Sequence, residues 1–282
     1  MSSIPVLYHA EHSSCSQRCR LALSERGIEY KDYVLTLFGD QHDPEFLRVN
    51  PKGQVPTMEH KGNYFRDSRD VIAYVDTLPS DKPKLNSEDN SQKAAEVLRF
   101  VKLLDSFNIP SLTFGPMCMR QYTTNSLAPT AINNESFNEG AKKTIARLQT
   151  IAAENPDLAD AANAIVARYS QGVDVMCNEQ VLVKSIDDCD AALAEVERQL
   201  GTQKAEAGDK EYWLCGERFT TADLYLSVLL HRLTFVGLAE RLFLGKRPLV
   251  SDYYQRVLRR PSFKEKCLHA NEAKYWVPNV QG

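Results

Sequence analysis

Between His12 and Arg20 the chain reads His-Ser-Ser-Cys-Ser-Gln-Arg-Cys-Arg, a cluster of hydroxyls and thiols. It sits between a short apolar run (Val6, Leu7, Tyr8) and a helical pattern that begins with Leu21, Ala22 and Leu23. A strand that ends in such side chains and turns into a helix leaves backbone N–H groups pointing at whatever lies in front of them. The partial positive charge of a helix start favours a thiolate over a thiol, whether that sulfur belongs to Cys15 or to a bound small molecule. Thiol chemistry is what this stretch offers, although Ser before a helix more commonly serves as a plain cap. Cys15 and Cys19 lack the spacing of a redox pair, so no functional disulfide is expected between them.

Such a cluster needs a strand before it and a helix after it, and the flanking sequence supplies both. Pro5–Tyr8 reads as a strand, about Cys15 to Arg26 as a helix stopped by Gly27, and Glu29 to Leu35 as a second strand. A polar stretch from Gly39 to Asp43 leads to a short helix around Pro44–Arg48, and Asn50 to Met58 forms a turn that delivers Pro56 to a third strand. Lys61-Gly62-Asn63 signals a hairpin with Tyr64–Arg66 as its return, and Asp67-Ser68 opens a helix carrying Val71, Ile72, Tyr74 and Val75. This gives a mixed α/β domain over 1–80 and a linker at 81–90, inside a stretch rich in Pro, Asp, Ser and Lys.

From 91 to 282 the chain reads as all-helical. Ala94, Val97, Leu98, Val101 and Leu104 mark one apolar face; Ile186, Cys189, Leu193, Val196 and Leu200 mark another. Residues 108–183 between them, with alanine-rich patterns at Gly140–Ala153 and Pro156–Tyr169, read as an insertion. Thr220 and Asp223 form a reciprocal capping box ahead of Leu224–Leu230, which is apolar nearly all round, so a central buried helix with a tied N-terminus is expected. His231 on that helix reads as a satisfied core histidine, not a base.

Composition narrows the class. A length of 282 residues admits two domains, and a net charge of −3 with no basic block gives no footprint for nucleic acid. Seven cysteines without regular spacing argue against a secreted disulfide scaffold and for a reducing compartment. No basic-then-apolar segment follows Met1, and the most apolar window, Leu224 to Leu238, is broken by His231 and Arg232 and is too short to span a bilayer. A soluble protein without a membrane span is expected.

Taken jointly, Ser13-Ser14-Cys15-Ser16 after the first strand, Gln54-Val55-Pro56 before the third, Asp67-Ser68 opening a helix and the Thr220–Asp223 box resemble the cytosolic glutathione transferases. The resemblance implies a thioredoxin-like N-terminal domain followed by an all-helical domain, here with a long helical insertion. Ser13 to Arg20 is similar to the zeta-class motif, which serves maleylacetoacetate isomerisation, and to the serine-x-cysteine pair of reductive dehalogenases. Three later runs (Trp213 to Thr220, Leu230 to Gly237, Gly245 to Pro248), with Tyr253 to Leu258 and the inserted Ala153 to Leu158, resemble the ganglioside-induced differentiation-associated protein 1 family. That family carries a basic and apolar C-terminal anchor for the mitochondrial outer membrane, whereas this chain finishes Ala273-Lys274-Tyr275-Trp276-Val277-Pro278-Asn279-Val280-Gln281-Gly282. A cytoplasmic location is therefore expected, with the mitochondrial outer membrane as the alternative if an anchor has been removed.

The same resemblance implies roles. Pro56 is cis, so that the backbone of Val55 pairs with the cysteinyl part of glutathione like an added strand. Ser68 holds the γ-glutamyl carboxylate, Asp67 contacts its ammonium with a shorter reach than the usual glutamate, and Gln54 hydrogen-bonds the peptide. Gln41 or His42 approaches the glycyl carboxylate. Either Ser13 donates to the glutathione sulfur or Cys15 resolves a mixed disulfide with it. Arg18 and Arg20 are structural, on a solvated face or as a bridge to the helical domain. The implied function is a glutathione-dependent transferase, conjugating glutathione to a small hydrophobic electrophile or transferring its thiol, as a homodimer, with glutathione as co-substrate and no metal. The alternatives are a non-catalytic module in mitochondrial dynamics or lipid sensing, and a zeta-type isomerase.

Overall fold

The computed structural model describes residues 4–37, 39–86, 91–129, 133–176 and 178–268. The C-terminal run Ala273–Gly282 and part of the expected linker, 87–90, lie outside the described residues.

The first half is built around a four-stranded sheet. Strand β1 (Val6–His9) leads into helix α1 (Ser14–Glu25), then β2 (Lys31–Val34), the short α2 (Pro44–Val49), β3 (Thr57–His60), β4 (Asn63–Phe65) and α3 (Ser68–Thr77). The strand order is β2-β1-β3-β4, with β1 parallel to β2 and antiparallel to β3. Two adjacent parallel strands need a crossover, and α1 provides it. Ser13 caps α1, its hydroxyl accepting from the Ser16 N–H at 3.3 Å, and Gly27 ends it at a φ of 60°. Lys61 and Gly62 both take positive φ between β3 and β4, as a two-residue hairpin of this hand requires. Leu7 and Met58 sit fully buried on the same face of the sheet as their neighbours under α1 and α3.

The helical half comprises α4 (Ser91–Asp105), α5 (Ile109–Cys118), α6 (Asn134–Glu154), α7 (Ala159–Met176), α8 (Glu179–Ala207), α9 (Thr221–Phe235), α10 (Ala239–Leu242), α11 (Pro248–Arg259) and α12 (Pro261–Lys266). Helix α9 is its axis: every residue but Thr234 is buried. On α8 the stripe of Ile186, Cys189, Leu193, Val196 and Leu200 is buried throughout. On α4 the core-facing residues are Val97, Phe100 and Leu104, while Leu98, expected on that face, is 52% exposed. One residue step turns a helix by about 100°, so Val97 and Leu98 cannot both face the same neighbour. Among the described residues no helix is long and apolar enough to cross a membrane.

The inserted segment divides into two parts. Helix α5 joins the core, with Gly115 so close to Leu182 of α8 that a Cβ there would lie 3.0 Å from the leucine Cδ1. Helices α6 and α7 form an antiparallel hairpin that touches α5 and α8 and builds a small second core of Leu148, Ile151, Leu158, Ala162 and Ile165 with Leu47 of α2. The hairpin thus bridges the helical half and α2 of the first half.

The capping box at the start of α9 is present and is extended by tertiary partners. Asp223 accepts from the Thr220 N–H at 2.8 Å and the Thr220 hydroxyl at 2.9 Å, and also from the Leu214 N–H at 3.0 Å and the Tyr253 hydroxyl at 2.9 Å. Burial pushes its carboxyl up while these donors pull it down, and burial wins.

Candidate functional site

Three element ends converge beside the thiol cluster. Tyr8 pairs with Thr57 in antiparallel register, so the residues just before β3, Val55 and Pro56, lie beside the end of β1 from which α1 departs. The Val55–Pro56 bond is cis, as the family resemblance implied. The Cys19 thiol donates to the Ser68 carbonyl at 3.6 Å and fastens α1 to the first turn of α3. Cys19 is fully buried, and burial pushes its thiol well up; the described cysteines are all free thiols, Cys15 and Cys19 among them.

Within the cluster the structure sorts the side chains into inward and outward. Ser16 is buried and accepts from the Ala10 N–H at 3.3 Å; Ser14 is buried and accepts from Arg232 Nε at 3.2 Å. Only Ser13 and Cys15 keep partial exposure within Ser13–Ser16. The cap occupies a lone pair of Ser13 and leaves its O–H able to donate. These are the two residues the sequence put forward for chemistry, and both stay partly accessible at the start of α1.

Behind them lies a buried arginine that sequence reasoning passed over. Arg232 of α9 is 4% exposed, and besides the Ser14 contact it donates through Nη2 to the carbonyl of His12. Burial lowers its guanidinium to about 10, which still leaves it charged at neutral pH, and a negative charge on Cys15 would favour that charged form. The available signal was an arginine inside an apolar helix, since a buried charge requires partners. His12 stays neutral, its ring lowered to about 3 by burial and by Arg232 and Arg20.

Arg18 and Arg20 are bridges to the helical half, not a solvated face. Arg18 is 1% exposed, pairs through Nη1 with Asp105 of α4 at 3.0 Å and stacks its guanidinium 4.0 Å over the Tyr225 ring of α9. Arg20 is 2% exposed and joins Glu11 at 2.7 Å to the Lys266 carbonyl at 2.9 Å. Both lie on the side of α1 that packs on helices, where long cationic side chains are retained only with partners.

The Asp67–Ser68 pair opens α3 as expected, and a neighbour changes its electrostatics. Asp67 accepts from the Arg69 N–H at 2.9 Å and from Arg69 Nε at 3.2 Å; against the upward pull of burial, these contacts hold its carboxyl below the ordinary range. Arg69 Nε also lies 3.7 Å from Asp105. Asp67, Arg69, Asp105 and Arg18 therefore form an alternating chain of charge from the α3 N-terminus to α1. Ser68 is buried at 7% exposure and Gln54 is exposed.

Gln41 and His42 do not face open space. They occupy a single 3-10 turn, Asp40–His42, pressed under α7. The Gln41 amide donates to the Leu37 carbonyl at 3.2 Å and accepts from the Gly39 N–H at 3.1 Å. The His42 ring is 1% exposed, edge-on to Tyr169 at 5.6 Å, and is lowered to about 4 by burial and by Arg168 and Arg147. Both side chains that were expected near a glycyl carboxylate are thus buried, and His42 meets Tyr169 of the hairpin, a contact between segments more than a hundred residues apart. His231 is a core histidine as read, its Nδ1 3.0 Å from the Tyr254 hydroxyl and its ring lowered to about 4 by burial and Arg232. Among the described residues no group of three or more His, Cys, Asp or Glu is placed to hold a metal ion.

Two family profiles match the chain: Glutathione S-transferase, N-terminal domain, over residues 7–83, and Glutathione S-transferase, C-terminal domain, over residues 139–256. Ganglioside-induced differentiation-associated protein 1-like 1 of Homo sapiens is 30% identical over 98% of this chain and 77% of its own length. Glutathione S-transferase TCHQD of Arabidopsis thaliana is 29% identical over 92% of this chain and 88% of its own. Among solved structures, the beta-etherase LigF of Sphingobium sp. strain SYK-6 superposes with a TM-score of 0.66 over 94% of this chain and 98% of its own, at 18% identity, a likeness of fold.

Proposed function

The chain belongs to the glutathione S-transferase family, and on that premise we propose that it binds glutathione at the junction of β1, β3 and α3 and transfers its sulfur. The observation that carries this reading is the pair Ser13 and Cys15, left partly exposed at the start of α1 while Ser14 and Ser16 are turned inward and bonded. The residue types at Gln54, Val55, Pro56, Asp67 and Ser68 support the same tripeptide site. The cysteinyl unit pairs with the Val55 backbone, the γ-glutamyl carboxylate meets the α3 N-terminus at Ser68, and the ammonium meets Asp67. A small hydrophobic electrophile lies against the helical half.

Two chemistries share this frame. In conjugation, the Ser13 hydroxyl donates to the glutathione thiolate, which attacks the electrophile and displaces its leaving group. In thiol transfer, the Cys15 thiolate attacks the glutathione sulfur of a mixed disulfide and expels the partner thiolate. A second glutathione thiolate then attacks the Cys15–glutathione disulfide, releasing oxidised glutathione and restoring Cys15. Assaying a generic aryl halide and a glutathione mixed disulfide with Ser13→Ala and Cys15→Ser separates them. Conjugation through Ser13 predicts a fall of about 100-fold in Ser13→Ala with Cys15→Ser near wild type, by the usual worth of one donor to a developing anion. Thiol transfer predicts loss in Cys15→Ser alone. A protein that neither turns over these substrates nor binds glutathione at millimolar levels by calorimetry refutes the proposal.

One observation favours a second reading, a non-catalytic module on the same scaffold: the hairpin α6–α7 covers Gln41 and His42, narrowing one side of the site. Glutathione binding without turnover of any electrophile or disulfide is the outcome that selects it.

A further inference from the structure

Between α2 and α7 lies a groove of about 630 Å³ that shares no residue with the proposed tripeptide site. Leu47 and Pro51 line it on one side, Leu158, Ala164 and Ile165 on the other. It is tied at both ends. Arg48 Nε pairs with Asp157 Oδ2 at 3.0 Å just before α7, and Arg168 Nη2 donates to the Lys52 carbonyl at 3.0 Å further along it. The stretch from Arg48 to Lys52 therefore runs beside α7 in the same direction.

The charges left over are sorted by end. Arg48 compensates Asp157, whereas among the described residues Asp160 lies in no ion pair and neither Lys52 nor Arg168 has a carboxylate within ion-pair distance. Asp160, Lys52 and Arg168 are all exposed. An acid thus stands at one end of the groove and two cations at the other, about 12 Å away along the helix axis.

Helix geometry sets these charges on one face. At about 100° per residue, Asp160, Ala161, Ala164, Ala167 and Arg168 of α7 fall within about 120° of arc, with Ala164 at its centre. A half-turn about an axis through Ala164 exchanges Asp160 with Arg168, because Ala164 lies midway between them in the chain. An antiparallel copy of α7 laid over the groove sets Asp160 against the partner's Arg168 and Arg168 against the partner's Asp160, with Lys52 flanking the second pair. A parallel copy would bring like charges together, which is costly. Alanine at the crossing lets the two helix axes approach to about 8 Å.

We infer that the α2–α7 groove is the contact face for a second copy of this chain, in a two-fold arrangement centred on Ala164. The charge order names the occupant: a helix with acid and base reversed over the same span, which α7 itself supplies when turned around. The inference is independent of the glutathione reading. Three turns of helix and the edge of α2 cover less than the roughly 800 Å² per partner of a standard complex, so the association is weak, and salt weakens it further.

Oxidative cross-linking and sedimentation of the full chain test it. Ala164→Cys, on the axis, should trap a covalent dimer well above the wild-type background, and Ala153→Cys, equally exposed on α6, should not. Sedimentation should show a salt-sensitive association that weakens on the order of tenfold in Arg168→Asp or in Asp160→Arg, each of which turns attraction into repulsion at two places, and that returns in the variant carrying both exchanges. These positions are all exposed, so the variants keep the fold. A wild type that stays monomeric throughout, an association indifferent to the single exchanges or not restored by the double one, or equal trapping at positions 153 and 164, overturns the inference. Each of these outcomes leaves glutathione binding standing.

Discussion

Arg232 Nε donates to the hydroxyl of Ser14 at 3.2 Å, joining the central helix of the second half to the loop that carries the proposed chemistry. The same guanidinium reaches the His12 carbonyl. Removing it leaves two buried acceptors without this donor, at about 1–3 kcal/mol each. Arg232→Met should lower the stability to urea by about 2–4 kcal/mol and abolish any turnover that depends on Ser13 or Cys15. Arg232→Lys, which keeps the charge but not the fork, should fall between. Wild-type urea stability in Arg232→Met would count against a structural role for this bridge.

Asp223 makes a sharper stability prediction because its four donors come from three segments of chain. In Asp223→Ala the buried Leu214 and Thr220 N–H groups and the Tyr253 hydroxyl lose their acceptor together. The expected loss is about 3 kcal/mol or more, above the ~1 kcal/mol of an isolated cap. Chemical denaturation measures it, and the folded fraction should retain its affinity for glutathione, since Asp223 lies away from the proposed site.

His42 gives a pH dependence of definite sign. Its ring is lowered to about 4 in the folded protein, by burial and by Arg168 and Arg147, from 6.5 when free. Below pH 6.5 the unfolded chain takes a proton that the folded chain does not, so stability is complete above that pH and is lost as pH falls toward 4. At pH 5 the loss is on the order of 2 kcal/mol for this group. His12 and His231, lowered to about 3 and about 4, act in the same direction. Urea titrations between pH 7 and 5 should show falling stability, and His42→Gln should reduce the slope by about one proton. An unaltered slope in that variant would mean that the ring is not held neutral under the hairpin.

Gly53 tests the docking of the hairpin itself. An alanine there must adopt a φ of +57° and place its Cβ within 3.1 Å of three atoms, those of His42, Ile165 and the Gln41 carbonyl. Left-handed strain costs about 1 kcal/mol or more and the steric conflict adds to it. Gly53→Ala should accelerate amide hydrogen exchange in Ala159–Met176 ahead of α8 and α9, since the close neighbours of Gly53 are His42, Ile165 and the Gln41 carbonyl. Uniform acceleration throughout the chain would show that the hairpin is not a separately docked unit.

Local signals determined the architecture. The apolar run at Val6–Tyr8, the hydroxyl cap at Ser13, the Gly27 stop, the Lys61–Gly62 turn and the Thr220–Asp223 box each act within a few residues, and each stands in the structure where the sequence placed it. Periodicity was read well where a helix is buried on one stripe, as on α8, and less well on α4, where Leu98 lies just off the stripe.

What the sequence by itself determined is therefore the order of the elements and the family pattern, with Ser13 and Cys15 put forward for the proposed chemistry. The tertiary structure alone decided which charged groups meet. Arg232 finds Ser14, Arg18 finds Asp105, and the loop at Gln41 and His42 is closed by Tyr169 and Arg168. A helix or a turn is chosen by neighbours along the chain, whose effects are written in adjacent residues. A buried charge is tolerated only where packing brings a partner from far along the chain, and nothing local names that partner.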